Sequence, residues 1–215
     1  SLPVSSFVAN ANGEWEQGAS AYEKRGTAVN VPEWDAAKCV GCNQCAFVCS
    51  HATIRPFQLT ADELAAAPAQ TKSRDNKPAN EYKFVMAVSP LDCMGCGECV
   101  TVCPTAAIEM KPQESQSEQQ AAFDYCVENI RKKDNIPGVV SEVSVKGSQF
   151  NQPLLEFSGS CAGCAETSYA RLITQLFGEK MFISNATGCS SIWGGTASIS
   201  PYTTSKESGH GPAWI

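Results

Sequence analysis

The sequence contains no apolar run near the roughly 18 residues that a membrane-spanning helix needs. It also lacks a cluster of lysine and arginine, and its formal net charge at pH 7 is −6. A protein whose main partner is a nucleic acid needs clustered basic side chains to neutralise phosphates. The opening SLPVSSFVAN has no basic stretch followed by an apolar core, as a secretory signal would. These absences predict a protein that neither spans a membrane nor binds nucleic acid.

Cysteine is the residue type that the sequence has in excess, with 12 among 215 residues. Such a number indicates either a secreted disulfide scaffold or a set of metal sites, and the spacing decides between them. Most of the cysteines fall into groups with gaps of two or three residues. This spacing favours reduced, metal-binding thiolates. We therefore expect a cytoplasmic protein or, in a eukaryote, one in an anaerobic organelle.

The tight cysteine groups belong to an internal repeat. Residues 39–54 (CVGCNQCAFVCSHATI) and 93–108 (CMGCGECVTVCPTAAI) are identical at eight of sixteen positions, and the four cysteines of each repeat are among them. Each repeat predicts a cysteine loop followed by a short helical turn, with the two halves related by a pseudo-two-fold axis. The fold predicted for residues 35–115 is an α+β ferredoxin-type domain that holds two [4Fe–4S] clusters.

The pattern Cys-x2-Cys-x2-Cys-x3-Cys is the bacterial ferredoxin run, in which the fourth cysteine of each run binds the other cluster. It predicts two ligand sets, each drawn from both repeats. The first cluster set is Cys39, Cys42, Cys45 and Cys103, and the second cluster set is Cys93, Cys96, Cys99 and Cys49. A structural zinc module is the alternative, because Cys-x2-Cys pairs also bind zinc.

One departure from the run is visible in the first repeat. Pro104 fits the Cys-Pro ending of the ferredoxin run, whereas Ser50 stands at the equivalent position of the first repeat. This change removes a ring that fixes a turn and leaves the ligands untouched. His51 follows, and we expect it at the surface beside the metal loop.

Outside the repeats the chain divides into three further parts. Residues 1–34 have no sustained period and predict an irregular opening segment. Residues 55–90 predict a loop inserted in the ferredoxin-type domain, with a helical turn at Ala61–Ala67. Residues 116–151 predict a linker helix and connector. The helix is expected at 117–133, with a capping box formed by Ser117 and Gln120.

That linker helix carries an apolar stripe on one face, which should pack on a neighbouring element. The stripe consists of Ala122, Phe123, Cys126, Val127 and Ile130. Because Cys126 lies within it, we interpret this cysteine as a small buried apolar residue and not as a ligand.

Residues 152–215 show a different pattern, that of an α/β domain. Thr167 is the expected N-cap of an amphipathic helix that ends at Gly178, and a short buried strand follows at Lys180–Ser184. The apolar stripe of the helix consists of Tyr169, Leu172, Ile173, Leu176 and Phe177. A helix, a strand and a glycine-containing loop open a domain with a parallel sheet, and ligands bind at the carboxyl ends of such strands.

Two motifs of this last part resemble a known family. Residues 158–167 (SGSCAGCAET) and 185–194 (NATGCSSIWG) closely resemble the start of the thiamine-diphosphate-binding domain of pyruvate:ferredoxin (flavodoxin) oxidoreductases. The ferredoxin-type domain precedes that domain in the same family, so both motifs occur in the family's order. Ala165 departs from the glycine that the family usually has there.

The resemblance implies further site residues. Cys161, Cys164 and Cys189 match three ligands of a third [4Fe–4S] cluster, and the fourth ligand has no counterpart in the chain. It also implies thiamine diphosphate and Mg²⁺ in the parent enzyme. The residues expected to contact the thiamine cofactor are Thr187, Gly188, Cys189 and Ser190. Catalytic residues are not indicated.

The function implied by the resemblance is electron transfer within a larger enzyme. The parent would convert pyruvate and coenzyme A to acetyl-coenzyme A and CO₂, pass single electrons to ferredoxin or flavodoxin, and form a homodimer. Because the chain begins at Ser1 instead of Met, we expect a piece of a longer polypeptide that is inactive alone. A stand-alone ferredoxin-like carrier and an oxidoreductase for another 2-oxoacid remain as alternatives.

Overall fold

The structure is a computed structural model that describes residues 2–77, 79, 81–133 and 143–214. Seven α-helices are present in these ranges. They are α1 (Gln44–Val48), α2 (Ala61–Ala66), α3 (Glu98–Thr101), α4 (Glu118–Asn129), α5 (Val145–Ser148), α6 (Ala165–Phe177) and α7 (Cys189–Gly194). The strands are β1 (Asn30–Trp34), β2 (Ile54–Leu59), β3 (Arg74–Asp75), β4 (Lys83–Val88), β5 (Ile108–Pro112), β6 (Phe182–Ile183) and β7 (Ala213–Trp214). Short 3-10 helices occur at Val4–Asn10, Ala19–Tyr22, Gln113–Gln116, Gly178–Lys180 and Ala197–Ile199.

The two cysteine repeats are related by the way their flanking strands pair. The strand before the first repeat, β1, pairs with β5 after the second, and β4 before the second repeat pairs with β2 after the first. Both pairs are antiparallel, and Trp34 opposes Ile108 as Val88 opposes Ile54. Each repeat also forms one short helix, α1 or α3, within its cysteine run. This exchange of strands has the pseudo-two-fold symmetry that the repeat predicts.

Strand β4 is buried on both faces, because successive side chains of a strand point to opposite sides. Phe84, Met86 and Val88 point toward the cysteines and pack with the core that contains Cys45 and Cys99. Val85 and Ala87 point to the other side, where they pack against α4. The sheet therefore separates the metal loops from the linker helix.

The stretch 55–90 is thus not wholly an inserted loop, because it begins in β2 and ends in β4. These strands form the second sheet, which β3 extends by pairing with β4. The predicted helical turn is present as α2, where Thr60 and Glu63 form a capping box. The opening segment contains two short 3-10 helices and then enters β1 at Asn30.

Helix α4 packs on the second sheet through the predicted stripe. Phe123 and Cys126 are fully buried, and Cys126 lies in the apolar core as expected. The capping box at Ser117 is not formed, because the chain enters α4 directly from a 3-10 helix. The Gln120 side chain instead accepts hydrogen bonds from the Ser89 hydroxyl and the Leu91 N–H. The helix ends at Asn129, earlier than predicted. Residues 135–138, which the sequence predicts as its terminating turn, lie outside the described residues.

Helix α6 differs from the prediction in which face it buries. Tyr169, Ile173 and Phe177 of the predicted apolar stripe are exposed by 57%, 42% and 62%. The buried face is polar, and its members are Thr167, Arg171, Thr174 and Gln175. Thr167 is not the N-cap: it lies inside α6, where its hydroxyl donates to the carbonyl of Cys164. The periodicity identifies the two faces of a helix but not which one its neighbour covers.

Strands β6 and β7 pair in parallel, which agrees with the predicted opening of a parallel sheet. A parallel pair needs a long crossover between its strands, and here α7 lies on that crossover. No helix in the described part of the chain is long and apolar enough to cross a membrane.

Candidate metal centres

Five of the eight cysteines of the two repeats lie in or against one apolar core, namely Cys39, Cys45, Cys49, Cys99 and Cys103. Cys45, Cys93 and Cys99 are buried, and each is 8% exposed. None of the cysteines forms a disulfide, so all of the sulfurs are free to bind metal. The loops that carry them are held by β1, β2, β4 and β5, the strands on either side of each repeat. The strand exchange therefore determines where the sulfurs lie.

Backbone N–H groups surround the sulfurs in the same way in both repeats. The N–H of Gly41 donates to Sγ of Cys39 at 3.3 Å, and the N–H of Gly95 donates to Sγ of Cys93 at 3.4 Å. Both glycines have positive φ, 67° and 70°, a conformation that favours glycine. Hydrogen bonds to the sulfurs help to set the reduction potential of an iron–sulfur cluster.

The fourth cysteines receive a matching set of donors. Thr53 N–H donates to Sγ of Cys49 at 3.4 Å, and Ala107 N–H donates to Sγ of Cys103 at 3.2 Å. Burial opposes ionisation of Cys103, but the hydrogen bonds around its sulfur prevail and lower its pKa. These bonds stabilise the thiolate, which is the form that binds metal.

The second cluster set is a group of thiols that affect one another's ionisation. Burial raises the pKa of Cys93 to about 12, with smaller contributions from the thiols of Cys49 and Cys96. The pKa of Cys99 is also raised, mainly by burial and to a smaller extent by the Cys49 thiol. Cys49 thus lies near the cysteines of the second repeat, as the crossed ligand set requires. Because the ligands of a metal must be deprotonated, metal binding to these thiols would release protons.

The same electrostatic pattern is less decisive for the first cluster set. Burial raises the pKa of Cys45, and the thiols of Cys99 and Cys39 add to the shift. Cys103 packs against the same core as Cys39 and Cys45. Because that core also contains cysteines of the second set, the position of Cys103 in the first set stays a prediction.

The donors suit an iron–sulfur cubane, in which each thiolate binds a different iron and the sulfurs surround a space wider than one ion. Among the described residues no three side chains of His, Cys, Asp or Glu meet at one point as ligands of a single ion. Cubane ligation does not require such a point.

A third cysteine loop, residues 161–164, lies directly on the second cluster set. Gly163 has φ of 67°, and a Cβ at this position would lie 3.3 Å from Cβ of Cys96. Burial opposes ionisation of the Cys164 thiol, but hydrogen bonds from the backbone and hydroxyl of Thr167 prevail and lower its pKa. This loop therefore presents a thiol close to one of the ferredoxin-type sites.

Two side chains that follow Cys49 hold the third cysteine loop in place. The hydroxyl of Ser50 donates to the carbonyl of Cys164 at 2.9 Å. The ring nitrogens of His51 lie 3.1 Å from the carbonyl oxygens of Ser158 and Cys161. His51 is only 3% exposed, so the expected surface position is wrong, and burial lowers its pKa. Ser50 has a role here that a proline could not fill, because proline has no hydroxyl.

Comparison with known proteins shows what the whole chain is similar to. The family described as 4Fe-4S dicluster domain matches residues 38–107, and one described as a domain of unknown function matches residues 1–28. The pyruvate-flavodoxin oxidoreductase of Klebsiella pneumoniae is 52% identical over 99% of this chain. The pyruvate:ferredoxin oxidoreductase of Moorella thermoacetica is 50% identical over 99% of it. The predicted resemblance to the pyruvate:ferredoxin oxidoreductase family is confirmed.

The match covers only part of those enzymes. This chain spans 18% of the length of both relatives. A third relative, the mitochondrial pyruvate dehydrogenase [NADP(+)] of Euglena gracilis, is 47% identical over 99% of this chain, which spans 12% of its length. A dicluster domain for [4Fe–4S] clusters is thus part of a segment that these oxidoreductases share.

The residues expected beside the thiamine cofactor in this family lie between β6 and the first turn of α7. Thr187, Gly188 and Cys189 are exposed, and Ser190 is half-buried. They follow the carboxyl end of β6 and lead into α7 at Cys189. No hydrogen bond among the described residues joins Cys189 to Cys161 or Cys164. Cys161 and Cys164 thus lie on one loop before α6, whereas Cys189 is the first residue of α7.

Proposed function

We propose that this chain is the electron-transfer segment of an enzyme that oxidises pyruvate. The two cluster sets would hold two [4Fe–4S] clusters, and Cys161, Cys164 and Cys189 would supply three ligands of a third. The contact of Gly163 with Cys96 carries this proposal, because it puts a separate cysteine loop against the second cluster set. A carrier that only exchanged electrons with soluble partners would have no need of this loop.

The order of electron transfer follows from the contacts between loops. Electrons from the third site would enter the second cluster set, which the third cysteine loop touches, and continue to the first. Cys39, Cys42 and Cys103 of the first set are half-buried, so solvent reaches part of that set. Cys96 of the second set is exposed as well, but it lies against the third cysteine loop. A ferredoxin or flavodoxin could accept electrons at the first set. The electron acceptors named for two of the relatives are consistent with this.

The remaining chemistry belongs to the parent enzyme. Thiamine diphosphate with Mg²⁺ would supply the decarboxylation of pyruvate when bound, and coenzyme A would take the acetyl group. Thr187, Gly188, Cys189 and Ser190 would form one wall of that cofactor site. They lie beyond the carboxyl end of a parallel strand, where ligands of α/β domains bind. We further propose that the parent is a homodimer in the cytoplasm or in an anaerobic organelle.

The test separates electron transfer from decarboxylation in the full-length parent enzyme. Cys164→Ser should lower the rate of ferredoxin reduction by pyruvate at least about tenfold. Removing a residue that only supports a metal ligand already lowers activity by about that factor, and Cys164 is itself a proposed ligand. The release of CO₂ from pyruvate in a single turnover should fall much less. Cys126→Ser is the matched control, because Cys126 lies in the core behind α4. A Cys164→Ser enzyme that still reduces ferredoxin at the original rate would contradict the proposal.

A further inference from the structure

Arg171 is the largest fully buried side chain in the described part of the protein, and it is 1% exposed. It lies on the polar face of α6 and reaches back to the first cysteine repeat. One terminal nitrogen, Nη2, donates to the carbonyl of Phe47 at 2.6 Å, within the run that leads to Cys49. The other, Nη1, donates to the side-chain oxygens of Gln149 at 3.1 Å and Gln175 at 2.6 Å.

All three acceptors of Arg171 are neutral. Among the described residues no Asp or Glu forms an ion pair with Arg171, and its Nε has no hydrogen-bond partner. The other deeply buried arginine, Arg55, shows the usual solution, since it pairs with the carboxylate of Glu156. Burying a charge without a counter-charge is costly. A partner of opposite charge is therefore missing from the polypeptide around Arg171.

The carbonyl that Arg171 binds lies two residues before Cys49, a proposed ligand of the second cluster set. Burial lowers the pKa of Arg171 to about 10, and electrostatic attraction to Cys49 opposes that shift. The guanidinium therefore stays charged at neutral pH. Cys49 belongs to the second cluster set, and a cubane with four thiolates carries a net negative charge. Such a cluster is the counter-charge that the protein groups do not provide.

We propose that Arg171 is the buried counter-charge of the cluster held by Cys49, Cys93, Cys96 and Cys99, and that it raises the reduction potential of that cluster. The proposal rests on the ligand sets proposed above. Reduction adds one electron to a cluster that is already negative, so a fixed cation nearby stabilises the reduced state. The interaction is strong because both groups are shielded from water. Local charge is one of the factors that set cluster potentials.

Among the described residues no buried arginine donates a hydrogen bond into the run that leads to Cys103, the fourth ligand proposed for the first cluster set. In the second repeat Thr101 occupies the position of Phe47, and it is exposed. A second arginine, Arg74, lies at a loop of the first set, where its Nη1 would lie 3.1 Å from a Cβ at Gly41. Arg74 is half-exposed and therefore screened by water. We therefore expect loss of the Arg171 charge to affect mainly one of the two clusters.

The test is a redox titration of the cluster-loaded full chain, followed by electron paramagnetic resonance. Arg171→Gln removes the charge and should make the reduction of one cluster at least about tenfold less favourable. For a one-electron step this corresponds to a reduction potential about 59 mV more negative. Arg171→Lys keeps a charge and should stay within about threefold of the original value. Arg74→Gln is the control and should leave the second cluster unchanged. The Cys103→Ser variant identifies the signal, because Cys103 belongs to the first cluster set and its loss should leave the second cluster in place. The signal that Arg171→Gln shifts should be the one that persists in Cys103→Ser.

The outcomes separate an electrostatic role from a structural one. Equal shifts in Arg171→Gln and Arg171→Lys, or no shift in Arg171→Gln, would overturn the proposal while two clusters remain present. Arg171→Met is a second neutral variant. If neither neutral variant holds the cluster, a lysine variant with the original potential supports the proposal, and a lysine variant that also loses the cluster overturns it. Iron content below that of two clusters in the unaltered chain would instead contradict the proposed ligand sets.

Discussion

The ion pair between Arg55 and Glu156 should control how firmly the segment after the linker is attached to the ferredoxin-type domain. Arg55 lies on β2 and Glu156 lies in the segment that leads to the third cysteine loop. Both side chains are almost completely buried, at 8% and 9% exposure. The guanidinium also lies 5.4 Å from the ring centre of Phe123 and 5.1 Å from that of Phe157. Glu156→Gln keeps the shape of the side chain and removes its charge.

The magnitude follows from what remains around Arg55. Removing one partner of a buried pair costs about 3–5 kcal/mol, because the other charge stays buried without compensation. Arg55 keeps its hydrogen bond to the carbonyl of Ala52 and its contacts with two aromatic rings. We therefore expect the lower end, about 3 kcal/mol. At about 1.36 kcal/mol for each factor of ten, local opening becomes roughly 150-fold more frequent.

Hydrogen exchange of single amides measures this opening directly. The N–H of Phe157 donates to the carbonyl of His51 at 3.0 Å, and this bond breaks when the segment detaches. The protection of the Phe157 N–H against exchange should fall roughly 150-fold. The Ser89 N–H, which donates to the carbonyl of Thr53 within the ferredoxin-type domain, should keep its protection. Asp75→Asn is the control, because the pair of Asp75 with Lys83 is exposed.

A second variant decides whether the charge or the packing matters. Arg55→Met with Glu156→Leu replaces the pair by apolar groups of similar volume and should restore most of the protection. Unchanged exchange at Phe157 in Glu156→Gln would refute the reasoning. So would a double variant that opens as often as the single one.

Three further outcomes are expected. Cys103→Ala should disturb the magnetic signal of the cluster bound by the first repeat; loss of the signal belonging to the second repeat would show that the ligands are not crossed. Ser50→Ala removes one hydrogen bond to the third cysteine loop, worth about 1 kcal/mol, and should raise exchange in that loop about fivefold, whereas unchanged exchange would show that Ser50 does not hold it. The chain alone should bind roughly eight irons, two Cys₄ cubanes, and should not oxidise pyruvate, so coenzyme A-dependent turnover would show that the catalytic groups lie within these residues.

The repeats were the part of the molecule that the sequence could predict. Two copies of one cysteine run fix the spacing of the loops, and the Ile that follows each run begins a strand in both copies. Cys126 is likewise found in the core, since its apolar neighbours recur at helical spacing. Such features depend on local pattern, which a sequence contains in full.

Contacts between distant segments could not be predicted in the same way. His51 was expected at the surface, yet its ring lies between carbonyl groups more than 100 residues further along the chain. The polar face of α6 is buried because Arg171 finds acceptors at Phe47 and Gln149, neither of which is near it in sequence. The one local sign was Ser50 in place of proline. It was correctly identified as a departure, but its partner, Cys164, lies on the third cysteine loop.

The pairing of β1 with β5 also has a consequence for how the protein is made. A ribosome adds about 5–20 residues each second and delivers β1 first. The partner of β1 begins only at Ile108, after both cysteine repeats. The first sheet therefore cannot form while the second repeat is still being synthesised, and the thiols of the first repeat must wait in a reduced, unfolded chain. We expect cells to supply iron and sulfide to this segment only after synthesis has passed Pro112.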